Sequence, residues 1–149
     1  MDEQLLDGRK ILVIDDDPDI RDALTIILES QGYQVLTARY GIEGLDKLKI
    51  ERVDLIVLDL IMPGTGGFEV YKKLKSAGHP EWNDIPIFIL TSLREETSKA
   101  RFEEETGMEM VVDAYIEKPI SPSRILEKAG ALLNRENPNS KLRLRERKE

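Results

Sequence analysis

The sequence predicts a doubly wound α/β fold: a five-stranded parallel sheet with helices on both faces. Three observations lead there. Short, wholly apolar runs recur along the chain, as strands buried on both faces require. Between them lie stretches whose apolar residues return at helical spacing, which is the βαβ pattern. The polar residues that interrupt this alternation fall at strand ends, where ligands bind in such sheets.

The first strand is Lys-Ile-Leu-Val-Ile at residues 10–14. Asp15, Asp16 and Asp17 follow, then Pro18 and a helix whose inward face is Ile20, Ala23, Leu24, Ile27 and Leu28. Asp17 is placed to cap that helix, Pro18 suits its first position, and Gly32 ends it. Residues 33–38 read as the second strand, and 42–48 as a short helix with Ile42, Leu45 and Leu48 inward. Residues 55–58, Leu-Ile-Val-Leu, form the third strand and end at Asp59.

A loop at 62–67 is marked by Pro63, Gly64, Gly66 and Gly67, and the helix after it is lined by Phe68, Tyr71 and Leu74. A second loop spans 79–84 and holds the sole histidine, His79, which reads as a solvated turn residue. The fourth strand, 87–90, ends at Thr91. Residues 94–106 are charged and read as a helix with few inward apolar positions. Ala114, Tyr115 and Ile116 make a short fifth strand, followed by Lys118 and Pro119. Ser121 and Pro122 open a last helix with Ile125, Leu126, Ala129, Leu132 and Leu133 inward.

The 149 residues divide into a lead-in at 1–8, one domain at 9–134 and a charged tail at 135–149, either helical or disordered. Apolar residues make up 40% and charged residues 34%, as in soluble globular domains. No run approaches the ~20 apolar residues of a membrane span. The acidic start lacks the order of a signal peptide, so the expected location is the cytoplasm. With no cysteine, disulfides, thiolate metal sites and cysteine nucleophiles are excluded. The net charge is −7, although residues 134–149 hold six basic and three acidic side chains. An acidic body does not suit a nucleic-acid binder, whose affinity comes from cationic contacts to phosphate.

The strand-end residues carry the chemistry. Asp15, Asp16, Asp59, Thr91 and Lys118 gather on one rim of the predicted sheet, so three carboxylates, a hydroxyl and an ammonium converge. Clustered carboxylates repel unless a cation neutralises them. Oxygen ligands on a partly open site favour Mg²⁺, which keeps waters and co-binds phosphate. A carboxylate held there can attack phosphorus to give an acyl phosphate. Lys118 and Thr91 can contact the phosphoryl oxygens, and phosphoryl transfer asks mainly for such positioning and charge neutralisation.

Four segments in order resemble the receiver domains of bacterial response regulators: residues 11–17 (ILVIDDD), 58–64 (LDLIMPG), 90–92 (LTS) and 115–119 (YIEKP). The resemblance covers roughly residues 9–133. It implies a flavodoxin-like strand order 2-1-3-4-5 and a phosphoryl acceptor at Asp59. It also implies Asp16 as a direct Mg²⁺ ligand, Asp15 acting through metal-bound water, and the Ile61 carbonyl as a further ligand. Lys118 would bind the phosphoryl group beside a cis peptide to Pro119. Thr91 would be drawn toward the phosphoryl oxygen and Tyr115 would swing from exposed to buried, unless it is a fixed surface aromatic. Ser92 is small, as phosphate access requires. Ile61 and Leu93, both apolar, would flank the path of attacking water and lengthen the phosphoryl lifetime.

The resemblance implies a signalling module rather than an enzyme in the usual sense. It would take phosphate from a sensor histidine kinase, a histidine phosphotransfer protein or a small phosphodonor, and then change its last two helices and fifth strand for an unidentified downstream protein. Because the chain stops soon after the last helix, a stand-alone receiver is expected, with phosphorylation-dependent homodimers known among look-alikes. Two departures stand out. Gly66-Gly67 replaces the usual polar-glycine pair and is expected to loosen its loop, and the stretch around 107–112 is several residues longer than usual. Two other readings remain. Asp15-x-Asp17 imitates the nucleophile motif of haloacid-dehalogenase phosphatases, which would leave Asp59 without a role. A pseudo-receiver scaffold would leave the whole set idle.

Overall fold

A computed structural model describes residues 8–64, 66–76 and 78–134. The expected tail at 135–149, and all of the lead-in but Gly8, lie outside the described residues. The elements run β1 (Lys10–Ile14), α1 (Pro18–Glu29), β2 (Gln34–Ala38), α2 (Gly41–Ile50), β3 (Leu55–Leu58), α3 (Gly67–Leu74), a 3₁₀ turn (Pro80–Trp82), β4 (Ile87–Thr91), α4 (Glu95–Thr106), β5 (Ala114–Glu117) and α5 (Pro122–Asn134). The five strands are all parallel and ordered β2-β1-β3-β4-β5. The order reverses at β1, because its two neighbours are reached by connections that leave in opposite directions.

Alternation along the central strands sorts the core into two layers. Leu12, Ile14, Ile56, Leu58, Ile87 and Ile89 face α2, α3 and α4 through Leu45, Phe68, Leu74 and Phe102. Ile11, Val13, Leu55, Val57, Phe88 and Leu90 face α1 and α5 through Leu24, Leu28, Ile125 and Ala129. Both faces of the sheet are therefore covered, which is why its strands read as continuous apolar runs.

Local signals hold where they were read. Asp17 caps α1 by accepting the Asp19 N–H at 2.9 Å, with proline in the first turn. The helix ends ahead of Gly32, which takes a positive φ. Helix α4 forms from its charged stretch and buries only Ser98 and Phe102. It closes at Gly107 in the left-handed region, φ 72°.

One expectation needs correction. Ile42 was expected to face inward, but it is 59% exposed. The buried stripe of α2 is Gly41, Gly44, Leu45 and Leu48. A Cβ at Gly44 would sit 2.5 Å from the Ile14 side chain, so the helix lays its glycines on β1 and turns Ile42 outward.

Candidate functional site

All five strand-end residues lie on the rim at the carboxyl ends of β1, β3, β4 and β5. The sheet ladder puts them there. The Asp59 N–H donates to the Ile14 carbonyl at 3.0 Å, setting Asp59 beside the end of β1. The Asp15 N–H continues the pairing with β2 by donating to Ala38. On the other side, the Lys118 N–H donates to the Thr91 carbonyl at 2.8 Å, which brings the ends of β4 and β5 level.

Asp15, Asp16 and Asp59 can each offer a carboxylate oxygen within 4.8 Å of the others. Asp15 and Asp59 are buried, at 2% and 4% exposure, while Asp16 opens to solvent. Lys118 reaches across the group, with Nζ 2.9 Å from Asp15 Oδ2 and 3.3 Å from Asp59 Oδ2. Burial raises the Asp15 carboxyl above its ordinary value, outweighing the Asp17 N–H and the Lys118 ammonium, which act to lower it. For Lys118, burial works against the charge, but the Asp15 and Asp59 carboxylates outweigh it and hold the ammonium above its ordinary value. The lysine thus compensates in part for a charge cluster that would otherwise be costly to bury.

Thr91 is fully buried, and its Oγ1 has no hydrogen-bond partner among the described residues. A buried hydroxyl in that state costs about 1–3 kcal/mol unless a ligand satisfies it. Ile61, half-exposed, donates its N–H to Asp59 Oδ1 at 3.2 Å. Leu93 is half-buried against the α2–α4 layer, Ser92 is exposed, and the Lys118–Pro119 peptide is cis. The Tyr115 ring is half-buried, with its hydroxyl donating to the Leu93 carbonyl at 2.8 Å and lying 2.6 Å from Ser98 Oγ.

The profile of the response regulator receiver domain matches residues 11–130. The chain belongs to that family. Among its relatives, response regulator MprA of Mycobacterium avium (strain 104) is 38% identical over 129 residues, which is 87% of this chain and 53% of the relative. The protein of the same name from Mycobacterium tuberculosis (strain ATCC 25177 / H37Ra) is 37% identical, over 87% of this chain and 52% of its own length. The chain therefore spans about half the length of these curated relatives. Chemotaxis protein CheY4 of Vibrio cholerae superposes with a TM-score of 0.72 at 29% identity, covering 85% of this chain and 99% of that one. Response regulator TrrA of Thermotoga maritima, solved in complex with Mg²⁺-BeF, gives 0.69 at 32% identity, covering 84% and 99%.

The receiver domain's acidic pocket is compatible with Mg²⁺ and an aspartyl phosphate. Its donors are all oxygens, two buried and one open, a set that suits a hard cation retaining water. Asp17 stands apart from the pocket, because its side chain is used as the α1 cap.

Three residues support the site in ways the sequence reading did not assign. Arg21 donates from Nη1 to the Asp15 carbonyl at 2.8 Å and pins the β1–α1 loop. Its signal was weak, since a lone arginine in a first helical turn reads as surface. Gly67 opens α3 against the backbone just after β3: a Cβ there would lie 2.1 Å from the Asp59 carbonyl oxygen. The glycine pair thus includes a position that allows close approach, which its place at a helix start could have signalled. Ser98 is the third, and it is buried at 0% exposure inside a stretch that reads as charged surface.

Finally, the stretch at 107–112 is largely exposed but is anchored at Met110 and Val111. Met110 is buried at 2% exposure, and the Tyr71 hydroxyl both accepts from the Val111 N–H at 2.9 Å and donates to its carbonyl.

Proposed function

We propose that Asp59 accepts a phosphoryl group in a Mg²⁺-dependent reaction and that the domain then changes its surface for a partner. The observation that carries this reading is the gathering of Asp59 with a cationic lysine and two further carboxylates, on the rim where β4 also ends at Thr91. A carboxylate oxygen of Asp59 attacks phosphorus and a new O–P bond forms. The donor's bond to phosphorus, N–P in a phosphohistidine or O–P in acetyl phosphate, breaks and its electron pair leaves with the donor. Mg²⁺, when bound, neutralises the carboxylates and the phosphoryl oxygens. Asp16 and Asp59 would hold it directly, with Asp15 acting through water and the Ile61 carbonyl as a further ligand.

Lys118 then leaves its bridge between the two carboxylates and pairs with the phosphoryl oxygens. Thr91 Oγ1 donates to the same group and gains the partner it lacks. Tyr115 follows Thr91 and carries the change to α4, β5 and α5. Such a switch is a two-state equilibrium biased by contacts that exist only when phosphate is present. Ser92 leaves room for the donor, and Ile61 and Leu93 shield the acyl phosphate from in-line water. The Mg²⁺-BeF complex of TrrA supports this use of the pocket.

The donor is a sensor histidine kinase, a histidine phosphotransfer protein or a small phosphodonor, acting in the cytoplasm. Output passes to a partner protein rather than to nucleic acid, with a phosphorylation-dependent homodimer as one form. No described helix is long and apolar enough to cross a membrane. The mycobacterial relatives extend well beyond the matched region.

Borohydride trapping tests the assignment. Reduction of the acyl phosphate converts the phosphorylated aspartate to homoserine, which peptide mapping locates. Homoserine at position 59 is expected. Homoserine at position 15 would instead favour the phosphatase reading.

A further inference from the structure

One buried polar contact lies between α4 and β5, outside the acidic pocket. Ser98 sits on the first full turn of α4 with 0% exposure, and its Oγ is 2.6 Å from Tyr115 Oη. A phenol has a single proton to give. Tyr115 gives it to the Leu93 carbonyl, 2.8 Å away. Ser98 must therefore be the donor in the first contact and Tyr115 the acceptor. The result is a directed chain, from Ser98 O–H to Tyr115 O–H to Leu93 C=O, in which each bond polarises the next.

This chain joins three elements: helix α4, strand β5 and the loop that leaves β4. Leu93 is two residues beyond Thr91, whose buried Oγ1 has no partner among the described residues. The loop that follows the strand-end Thr91 is thus already fastened to the tyrosine. Outward movement of the Tyr115 ring would take from the Ser98 hydroxyl the acceptor it has while buried, at the cost of that hydrogen bond. Burial also raises the phenol above its ordinary value, so its proton is in place across the physiological range.

We propose that Ser98 is a positioning residue that holds Tyr115 against the Leu93 carbonyl before any phosphoryl group arrives. The output face is then set in part without phosphorylation, and phosphorylation strengthens an arrangement that already exists. The consequence for signalling rests on Asp59 being the acceptor, while the hydrogen-bond chain itself does not.

The test is ¹⁹F NMR of the full chain labelled with 3-fluorotyrosine, with the Tyr115 resonance assigned by its loss in Tyr115→Phe. Native protein and Ser98→Ala are compared alone and with Mg²⁺ and beryllium fluoride. Phosphorylation by acetyl phosphate is followed in parallel by intact mass. In the unphosphorylated native protein, Tyr115 is expected to report a buried ring. Ser98→Ala is expected to move its population toward solvent by roughly fivefold to tenfold, the weight of one neutral hydrogen bond, and beryllium fluoride to draw it back. Should Ser98→Ala fail to fold, Ser98→Cys retains the size with a weaker donor, and a smaller displacement in the same direction is expected. A Tyr115 resonance unmoved by the substitution overturns the proposal. So does a native ring that is solvent-exposed until beryllium fluoride is added. Absence of the mass adduct alongside a displaced ring in Ser98→Ala would count against the Asp59 reading and leave the role of Ser98 standing.

Discussion

Asp15 spends both of its carboxylate oxygens within the fold. Oδ1 accepts the Asp17 N–H at 3.0 Å, and Oδ2 meets Lys118 at 2.9 Å. Yet burial raises its carboxyl above the ordinary aspartate value. Ionisation is then harder in the folded state than in the unfolded one. The stability Asp15 contributes is complete below its unfolded value and is lost as pH rises through its higher folded value. Asn at this position keeps the acceptor for Asp17 and does not titrate. In EDTA, Asp15→Asn is therefore expected to be more stable than the native chain at neutral pH, where the native carboxylate is ionised against the cost of its burial. That advantage should shrink as pH falls toward the ordinary aspartate range, which urea denaturation at several pH values would read. At the same scale, Ile61→Asn or Leu93→Gln should speed decay of the phosphorylated form by admitting water. Mass spectrometry over time measures this, and unchanged decay in both variants would exclude a shielding role.

Among elements, the start of α3 leaves no room for a side chain at Gly67. Gly67 lies where any Cβ would meet the Asp59 carbonyl oxygen at 2.1 Å and the Leu60 Cα at 2.5 Å. Backbone cannot yield as a flexible side chain can, so Gly67→Ala is expected to cost about 1–3 kcal/mol. It should also slow phosphorylation, because relief of the clash displaces Asp59. Urea denaturation and the rate of adduct formation read the two effects separately. This fit shows what a one-dimensional pattern leaves out. Asp15, Asp16, Asp59, Thr91 and Lys118 were legible because each breaks an apolar run where a parallel strand must end. The inward face of α2 was misread because its contacts are made by Gly41 and Gly44, which carry no hydrophobic signal. Ser98 was invisible for a related reason: α4 is charged along its length, and the serine is buried where its hydroxyl meets Tyr115 of β5. Phe102, by contrast, anchors α4 by stacking on Phe68 at 6.4 Å and meeting the Tyr71 edge at 5.1 Å. No spacing rule would have paired those rings.

Across the whole molecule, a doubly wound sheet brings five polar residues from the ends of four strands to a single rim while two apolar layers fix the strands beneath. The order β2-β1-β3-β4-β5 sets the acidic residues of β1 and β3 side by side and the threonine and lysine of β4 and β5 beside them. The order was legible through resemblance to receiver domains, since local propensity does not determine which strands pair. The central claim is that this rim makes an aspartyl phosphate at Asp59. Its most direct test is the intact mass of the chain after incubation with acetyl phosphate, with and without Mg²⁺, beside Asp59→Asn. The account predicts a single phosphate adduct that requires Mg²⁺ and is absent from the variant. An adduct that persists in Asp59→Asn, or none in the native chain together with no binding of Mg²⁺-beryllium fluoride, would contradict it.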